Sequence, residues 1–141
     1  MDYVTRYSIW MKKRCLFPIF FALLCAPPVW AANWVPIGQS DAGVYYLDRA
    51  SVISSGNIRR AWTMLDYRQP QTNKQNKTYL SSRTMMEFDC DKEFVRPRSF
   101  SLHAHNQLKG EVLTSEGIVQ GWQAAPPETP IFKMLITACE K

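Results

Sequence analysis

Polar and apolar residues alternate along most of the chain beyond residue 34, and this period of two is typical of β-strands. The longest run covers residues 78–90, where Leu80, Met86 and Phe88 share one face with Cys90. Pro36 indicates that the first run is an edge strand, because proline has no N–H to donate to a neighbouring strand. We predict about six strands, at residues 34–38, 44–47, 58–67, 78–90, 94–105 and 112–114.

The C-terminal segment follows a helical period instead. Thr129 is a suitable N-cap and Pro130 suits the first turn. The apolar residues Phe132, Leu135, Ile136 and Cys139 then recur at the spacing of one helical face. The pattern predicts an α+β domain, an antiparallel sheet of about six strands with this helix packed on one face.

The connections are polar and rich in turn formers. Residues 48–54 are predicted to form a connection with one helical turn capped by Asp48. Residues 69–77 are polar, with one proline and two asparagines, and indicate a long exposed hairpin loop.

The first 31 residues resemble a signal peptide. Basic residues 12–14 precede about a dozen apolar residues, 15–26, and Val29 and Ala31 fit the small-residue cleavage pattern. The apolar run is shorter than the roughly 20 residues that span a membrane. We therefore predict cleavage after Ala31, no membrane span afterwards, and a domain at residues 32–141. Met11 is an alternative start, and an uncleaved anchor is an alternative to cleavage.

Lipid attachment requires a small residue immediately before the modified cysteine. Cys25 follows Leu24 and Cys15 follows Arg14, so neither position fits. The expected location is therefore periplasmic or secreted, with the cell surface as an alternative.

The formal net charge of +5 overstates the basic character of the predicted mature domain. Residues 1–31 contain four basic side chains and one acidic side chain, so the remainder carries a net charge of +2. A nucleic-acid-binding protein presents clustered basic charge, which a value of +2 does not support. We expect no nucleic-acid partner.

Two cysteines, Cys90 and Cys139, remain after cleavage. Disulfides persist in the oxidising compartments that exported proteins reach, so we predict that these two are bonded. The bond would tether the helix to the long strand. Two free thiols or two metal ligands are the alternatives, although the chain has no C-x-x-C pair.

No catalytic constellation is visible, and we predict a protein that is not an enzyme and has no cofactor. The chain lacks a G-x-S-x-G motif and a glycine-rich phosphate loop. Asp89, Asp91 and Glu93 cluster where a turn is expected, a common place for acids. His103 and His105 would point the same way on a strand, which leaves a haem or metal carrier as an alternative, but a metal site needs further ligands.

Arginines recur along the predicted strands. Arg60, Arg83, Arg96 and Arg98 would form a face for an acidic protein partner if the sheet brings them together. The competing interpretation is cross-strand ion pairing with Asp66, Glu87 and Asp89.

The order of several short motifs resembles the surface-adhesin protein E-like family of Gram-negative bacteria. The resemblance is carried by Trp34, residues 44–48, Ser51-Val52 before Gly56, residues 60–62 before Asp66-Tyr67, Ser81, residues 87–90, Gly110, Trp122 and Cys139. It implies a sheet of about six strands with a C-terminal helix tethered through Cys90 and Cys139. For the namesake it also implies adhesion to host matrix proteins from a lipoprotein at the cell surface.

Two main functions follow from these features. Because the lipid attachment signal is missing, our first interpretation is a small non-catalytic binding domain of the bacterial envelope with an unidentified protein partner. A host-matrix adhesin at the cell surface is the alternative.

Overall fold

The structure is a computed structural model that describes residues 31–140. The predicted signal peptide lies outside the described residues, apart from Ala31, and stays a prediction. The described elements are eight strands, a short 3₁₀ turn and one helix. They are β1 Trp34–Gln39, β2 Gly43–Asp48, a 3₁₀ turn at Arg49–Ser51, β3 Ile53–Ser55, β4 Ile58–Thr72, β5 Thr78–Asp89, β6 Phe94–His103, β7 Val112–Gly117, β8 Gln123–Ala124 and α1 Pro130–Cys139.

The strands form one open antiparallel sheet. Its main path has the order β1-β2-β4-β5-β6-β7, while β3 pairs with β4 and β8 pairs with β6. The path of six strands with a single helix confirms the predicted α+β architecture. Two short strands were not predicted: β3, which begins within the connection predicted at residues 48–54, and the two-residue β8. Segments of this length are too short to show a periodicity.

Pro36 lies in the edge strand β1, as its chemistry requires. The carbonyl of Asn33 accepts a hydrogen bond from the Arg49 N–H at 3.0 Å. The backbone groups of Asn33, and of every second residue after it, therefore point towards β2. By alternation, the missing N–H of Pro36 would point away from β2, so the ladder loses nothing. Proline at this position also hinders pairing with another chain.

The hairpin between β4 and β5 is longer than the sequence predicts. Residues 69–72, placed in the loop by their polarity, continue β4, and Gln71 and Thr72 pair with Tyr79 and Thr78. Pairing with β5 overrides the weak intrinsic strand preference of these polar residues. The 3₁₀ turn agrees with the prediction, since the Asp48 side chain accepts from the Ala50 N–H.

One face of the sheet is covered by α1, and this helix-covered face holds the core. Leu47 and Phe88 are fully buried there, and Leu135 of the helix is 1% exposed. Burying side chains of this size contributes about 2–3 kcal/mol each. The core residues are Leu47, Ala61, Met86, Phe88, Val95, Ala125, Met134, Leu135 and Ala138.

The helix begins as predicted but is rotated from the expected face. The Thr129 hydroxyl accepts a hydrogen bond from the Phe132 N–H at 3.3 Å, with Pro130 in the first turn. Met134, Leu135 and Ala138 are the buried positions, whereas Ile136 is 43% exposed. Together with Ile131, these buried residues have the same spacing as the predicted stripe, one residue earlier, so periodicity alone could not choose between the two.

The disulfide between Cys90 and Cys139 is present and confirms the prediction. Cys90 directly follows β5, and Cys139 is the last residue of α1. The bond therefore fixes the end of the helix to the end of a central strand, with the two Cα atoms 5.8 Å apart.

Candidate functional site

The face opposite α1, which we call the helix-free face, carries the arginines singled out from the sequence. Strand alternation and register place their neighbours in rows across β4, β5 and β6. These rows are Arg60–Glu87–Arg96, Trp62–Met85–Ser99 and Met64–Arg83–Ser101. The three central strands thus present apolar residues to the helix and a mixture of cations, aromatics and polar groups to the other side.

Three arginines surround one glutamate at one end of this face. The Arg96 Nε donates to Glu87 Oε2 at 2.6 Å, and the Arg98 Nε lies 4.0 Å from Glu87 Oε1. Arg60 occupies the register position on the other side of Glu87. The single carboxylate leaves an excess of positive charge, which we call the Glu87 cluster: Arg60, Glu87, Arg96 and Arg98.

A β-bulge in β6 lies next to this cluster. Met85 pairs with Ser99 and Met86 pairs with Pro97, so Arg98 is an extra residue without a partner on β5. Strict alternation would place Arg96 and Arg98 on one face and Ser99 on the other. The bulge instead lets Arg98 and Ser99 share the helix-free face, as bulges re-aim side chains.

Trp122 holds Arg96 from a second direction. The guanidinium carbon of Arg96 lies 4.3 Å from the centre of the Trp122 ring. A cation over an indole face is attracted by the ring quadrupole. Arg96 is therefore fixed by an ion pair and a stacking contact, although its side chain is 29% exposed.

Arg83 forms a second anchored cation on the same face. Its guanidinium carbon lies 3.8 Å from the centre of the Trp62 ring. Burial lowers the pKa of Arg83, and the nearby carboxylate of Asp48 opposes that shift. Within residues 31–140 the buried Nε–H of Arg83 has no hydrogen-bond acceptor.

The two anchored cations are separated along β5. Arg96 lies opposite Glu87, and Glu87 is four residues from Arg83 on β5. Four residues correspond to about 13 Å at the rise of a β-strand. A shallow depression of about 400 Å³ adjoins the Glu87 cluster, lined by Arg60, Glu87 and Arg96 together with the exposed Ile53 of β3. The face can therefore contact carboxylates at two points and an apolar group beside one of them.

Ion pairing explains only part of the arginine pattern. Within residues 31–140, Glu87 pairs with arginines as the competing interpretation expected, but Asp66 and Asp89 do not. Asp66 accepts from the Asn106 side chain at 3.0 Å and the Gln107 N–H at 2.8 Å, where residues 104–110 fold over one end of the helix-free face.

Asp89 serves the turn that follows β5. Its carboxylate accepts from the Asn57 side chain at 3.0 Å and from the backbone N–H groups of Asp91 and Lys92 at 3.1 Å. Glu93 stands in the same turn with a positive φ of 56°. These contacts match the turn role given to the acids in the sequence.

The two histidines do not form a pair on one strand. β6 ends at His103, whose Nε2 lies 3.0 Å from the Ser101 hydroxyl, and His105 follows in the next turn. Burial lowers the pKa of His103, and the charge of Arg83 adds to this shift, while the Leu108 backbone acts in the opposite sense. Among residues 31–140, no three His, Cys, Asp or Glu side chains lie close enough to hold a metal ion.

The arginine contacts of two tryptophans on this face were not predicted from the sequence. Trp62 has the same alternation as Arg60 and Met64 on β4, so its position was readable once the helix-free face was known. Trp122 lies in an irregular segment just before β8, where no periodicity indicates a partner.

In the part of the chain that is described, no helix is long and apolar enough to cross a membrane.

Comparison with solved structures places the fold among known proteins. The structure of Haemophilus influenzae protein E matches with a TM-score of 0.58 and 13% sequence identity, over 81% of this chain and 89% of that one. Crystal form II of the same protein gives a TM-score of 0.59 at 10% identity, over 81% and 94% of the two chains. At this identity the likeness concerns the fold.

A comparison with curated protein sequences found no match. A family model described as surface-adhesin protein E, however, matches residues 34–140, which cover every strand and the helix. The chain therefore belongs to the surface-adhesin protein E family.

Proposed function

We propose that this domain is a non-catalytic adhesin-type module that binds an acidic protein partner through its helix-free face. The carrying observation is that two arginines, Arg83 and Arg96, are each stacked on a tryptophan. Membership of the surface-adhesin protein E family favours the adhesin interpretation over a soluble module of the periplasm.

The stacking has an energetic consequence for recognition. Ordering a long side chain at an interface costs about 0.5–1.5 kcal/mol, and a guanidinium already held on an indole avoids part of that loss. Guanidinium–carboxylate bonds are among the stronger hydrogen bonds because both groups are charged. Arginine and tryptophan are also the residues that most often dominate the energy of protein interfaces.

Binding to an immobilised extract of host extracellular matrix tests the proposal. A variant with Arg60→Gln, Arg83→Gln and Arg96→Gln is expected to bind at least about tenfold more weakly, since arginines at interface centres each contribute about 1–2 kcal/mol. Its affinity should also depend less on salt. The matched control removes three exposed cations elsewhere, as Arg49→Gln, Lys92→Gln and Lys133→Gln, and should bind like the wild type.

Two results would overturn the proposal. One is an unchanged affinity in the helix-free-face variant, with circular dichroism showing that it is folded. The other concerns location: antibody labelling of intact cells and fractionation should detect the protein at the surface. Detection in the periplasm alone would remove the adhesin role and restore the periplasmic binding domain.

A further inference from the structure

A separate cleft lies on the same side of the sheet as α1 but beyond the helix. The helix packs on β1, β2, β4 and β5. Phe100 and Leu102 of β6 pair with Thr84 and Ser82, so alternation along β5 turns them towards the helix side as well. The tip of the β4–β5 hairpin, residues 73–77, covers this part of the sheet instead of α1.

Two contacts hold the hairpin tip against β7 and its preceding loop. The Asn73 side chain donates to the Thr114 hydroxyl at 3.3 Å, and Lys77 Nζ lies 3.8 Å from the Glu111 carboxylate. Asn73 Oδ1 also accepts from the backbone N–H groups of Gln75 and Lys77, at 3.0 and 2.9 Å, which fixes the shape of the tip. The tip therefore forms one wall of a cleft of about 290 Å³.

The lining of the cleft is divided by chemistry. Tyr79, Phe100 and Leu102 supply apolar and aromatic surface, and Leu102 is 9% exposed. Gln75, Thr114 and Glu116 supply amide, hydroxyl and carboxylate groups. Among the described residues that line the cleft, Lys74 is the one cation and Glu116 the one anion, so neither sign of charge dominates.

We propose that this cleft binds a single uncharged sugar ring. A pyranose has an apolar face that can lie on Tyr79 and Phe100 and a rim of hydroxyls that both donate and accept hydrogen bonds. Amides and hydroxyls also do both, and a carboxylate accepts. A charged ligand would require an excess of the opposite charge, and a purely apolar ligand would leave the polar wall unpaired. The volume is near the lower limit of about 300 Å³ for ligand sites, which restricts the ligand to about one ring.

Amide chemical shifts of the mature domain, followed during separate titrations with glucose, galactose and N-acetylglucosamine, test this inference. At least one sugar should cause saturable shifts in the millimolar range, confined to residues 72–79, 100–102 and 114–116. Gln75→Ala and Glu116→Gln should each weaken that binding several-fold. The matched controls Gln123→Ala and Glu93→Gln, at exposed positions outside the cleft, should leave it unchanged.

The absence of saturable shifts with all three sugars would overturn the inference. Shifts located elsewhere, or equal affinity in the cleft variants, would do the same. The cleft does not depend on the adhesin proposal, because it lies on the opposite side of the sheet from the arginines. The Arg60→Gln, Arg83→Gln, Arg96→Gln variant should retain full sugar binding, so failure of one proposal leaves the other testable.

Discussion

On the helix-covered face, Leu47 and Phe88 are fully buried, whereas the helix-free face presents Arg60 and Arg98 to solvent. Strands β4, β5 and β6 build both faces, because successive side chains of a strand point in opposite directions. One set of residues can therefore determine stability while the residues between them determine recognition. Changes on the two faces should affect different measurements, and four experiments test that separation.

Removing the disulfide should give the largest effect, on stability. It closes a segment with a sequence separation of 49 residues, and loop-closure entropy for a loop of this length corresponds to about 4 kcal/mol. The variant Cys90→Ala/Cys139→Ala should lose about that much free energy of unfolding in urea. Reduced wild-type protein is the control and should match the variant. A loss below about 1 kcal/mol would show that the helix docks without its tether.

Leu135→Ala should have the next largest effect. The side chain is 1% exposed in the core between α1 and the sheet, so truncation loses burial and leaves a cavity. We expect a loss of about 3 kcal/mol in the free energy of unfolding. Affinity for the matrix extract, measured where the variant is folded, should not change.

Ile136→Ala is the matched control for that experiment. Ile136 lies on the same helix and is 43% exposed, so its truncation should cost less than about 1 kcal/mol. Equal losses for the two variants would mean that the helix buries the stripe predicted from the sequence and not the one seen here.

This pair shows how far the sequence leads. The helix, its Thr129 cap and its disulfide could be predicted, because each depends on local chemistry or on the number of cysteines. Its rotation could not, since two apolar stripes one residue apart satisfy the same period and contacts with β1, β2, β4 and β5 choose between them. The helix-free face behaves similarly: alternation predicts Arg60, Arg83, Arg96 and Arg98, whereas the position of Ser99 depends on a bulge and that of Trp122 on an irregular segment.

Glu87→Gln should have a smaller effect, lowering the free energy of unfolding but raising the affinity for an acidic partner. Its carboxylate bonds Arg96 at 2.6 Å with 15% of the side chain exposed, and loss of a partly exposed pair costs about 1 kcal/mol. Affinity for an acidic partner should rise, because the one carboxylate of the cluster no longer repels it. Glu140→Gln, which breaks the exposed pair with Arg49, is the control and should change neither quantity measurably.

Replacing His103 should give the smallest effect, a change in how stability depends on pH. This dependence originates on the helix-free face. Burial and then Arg83 lower its pKa. The unfolded chain, with a histidine pKa of about 6.5, therefore binds the proton at a higher pH than the folded protein does. The resulting stability is fully present above the unfolded pKa and is lost as the pH falls through the lower folded value. Within residues 31–140 the core residues have no ionisable side chains, so His103→Gln should flatten the urea midpoint between pH 5 and 7. A pH dependence that persists in His103→Gln would place its origin elsewhere and remove this difference between the two faces.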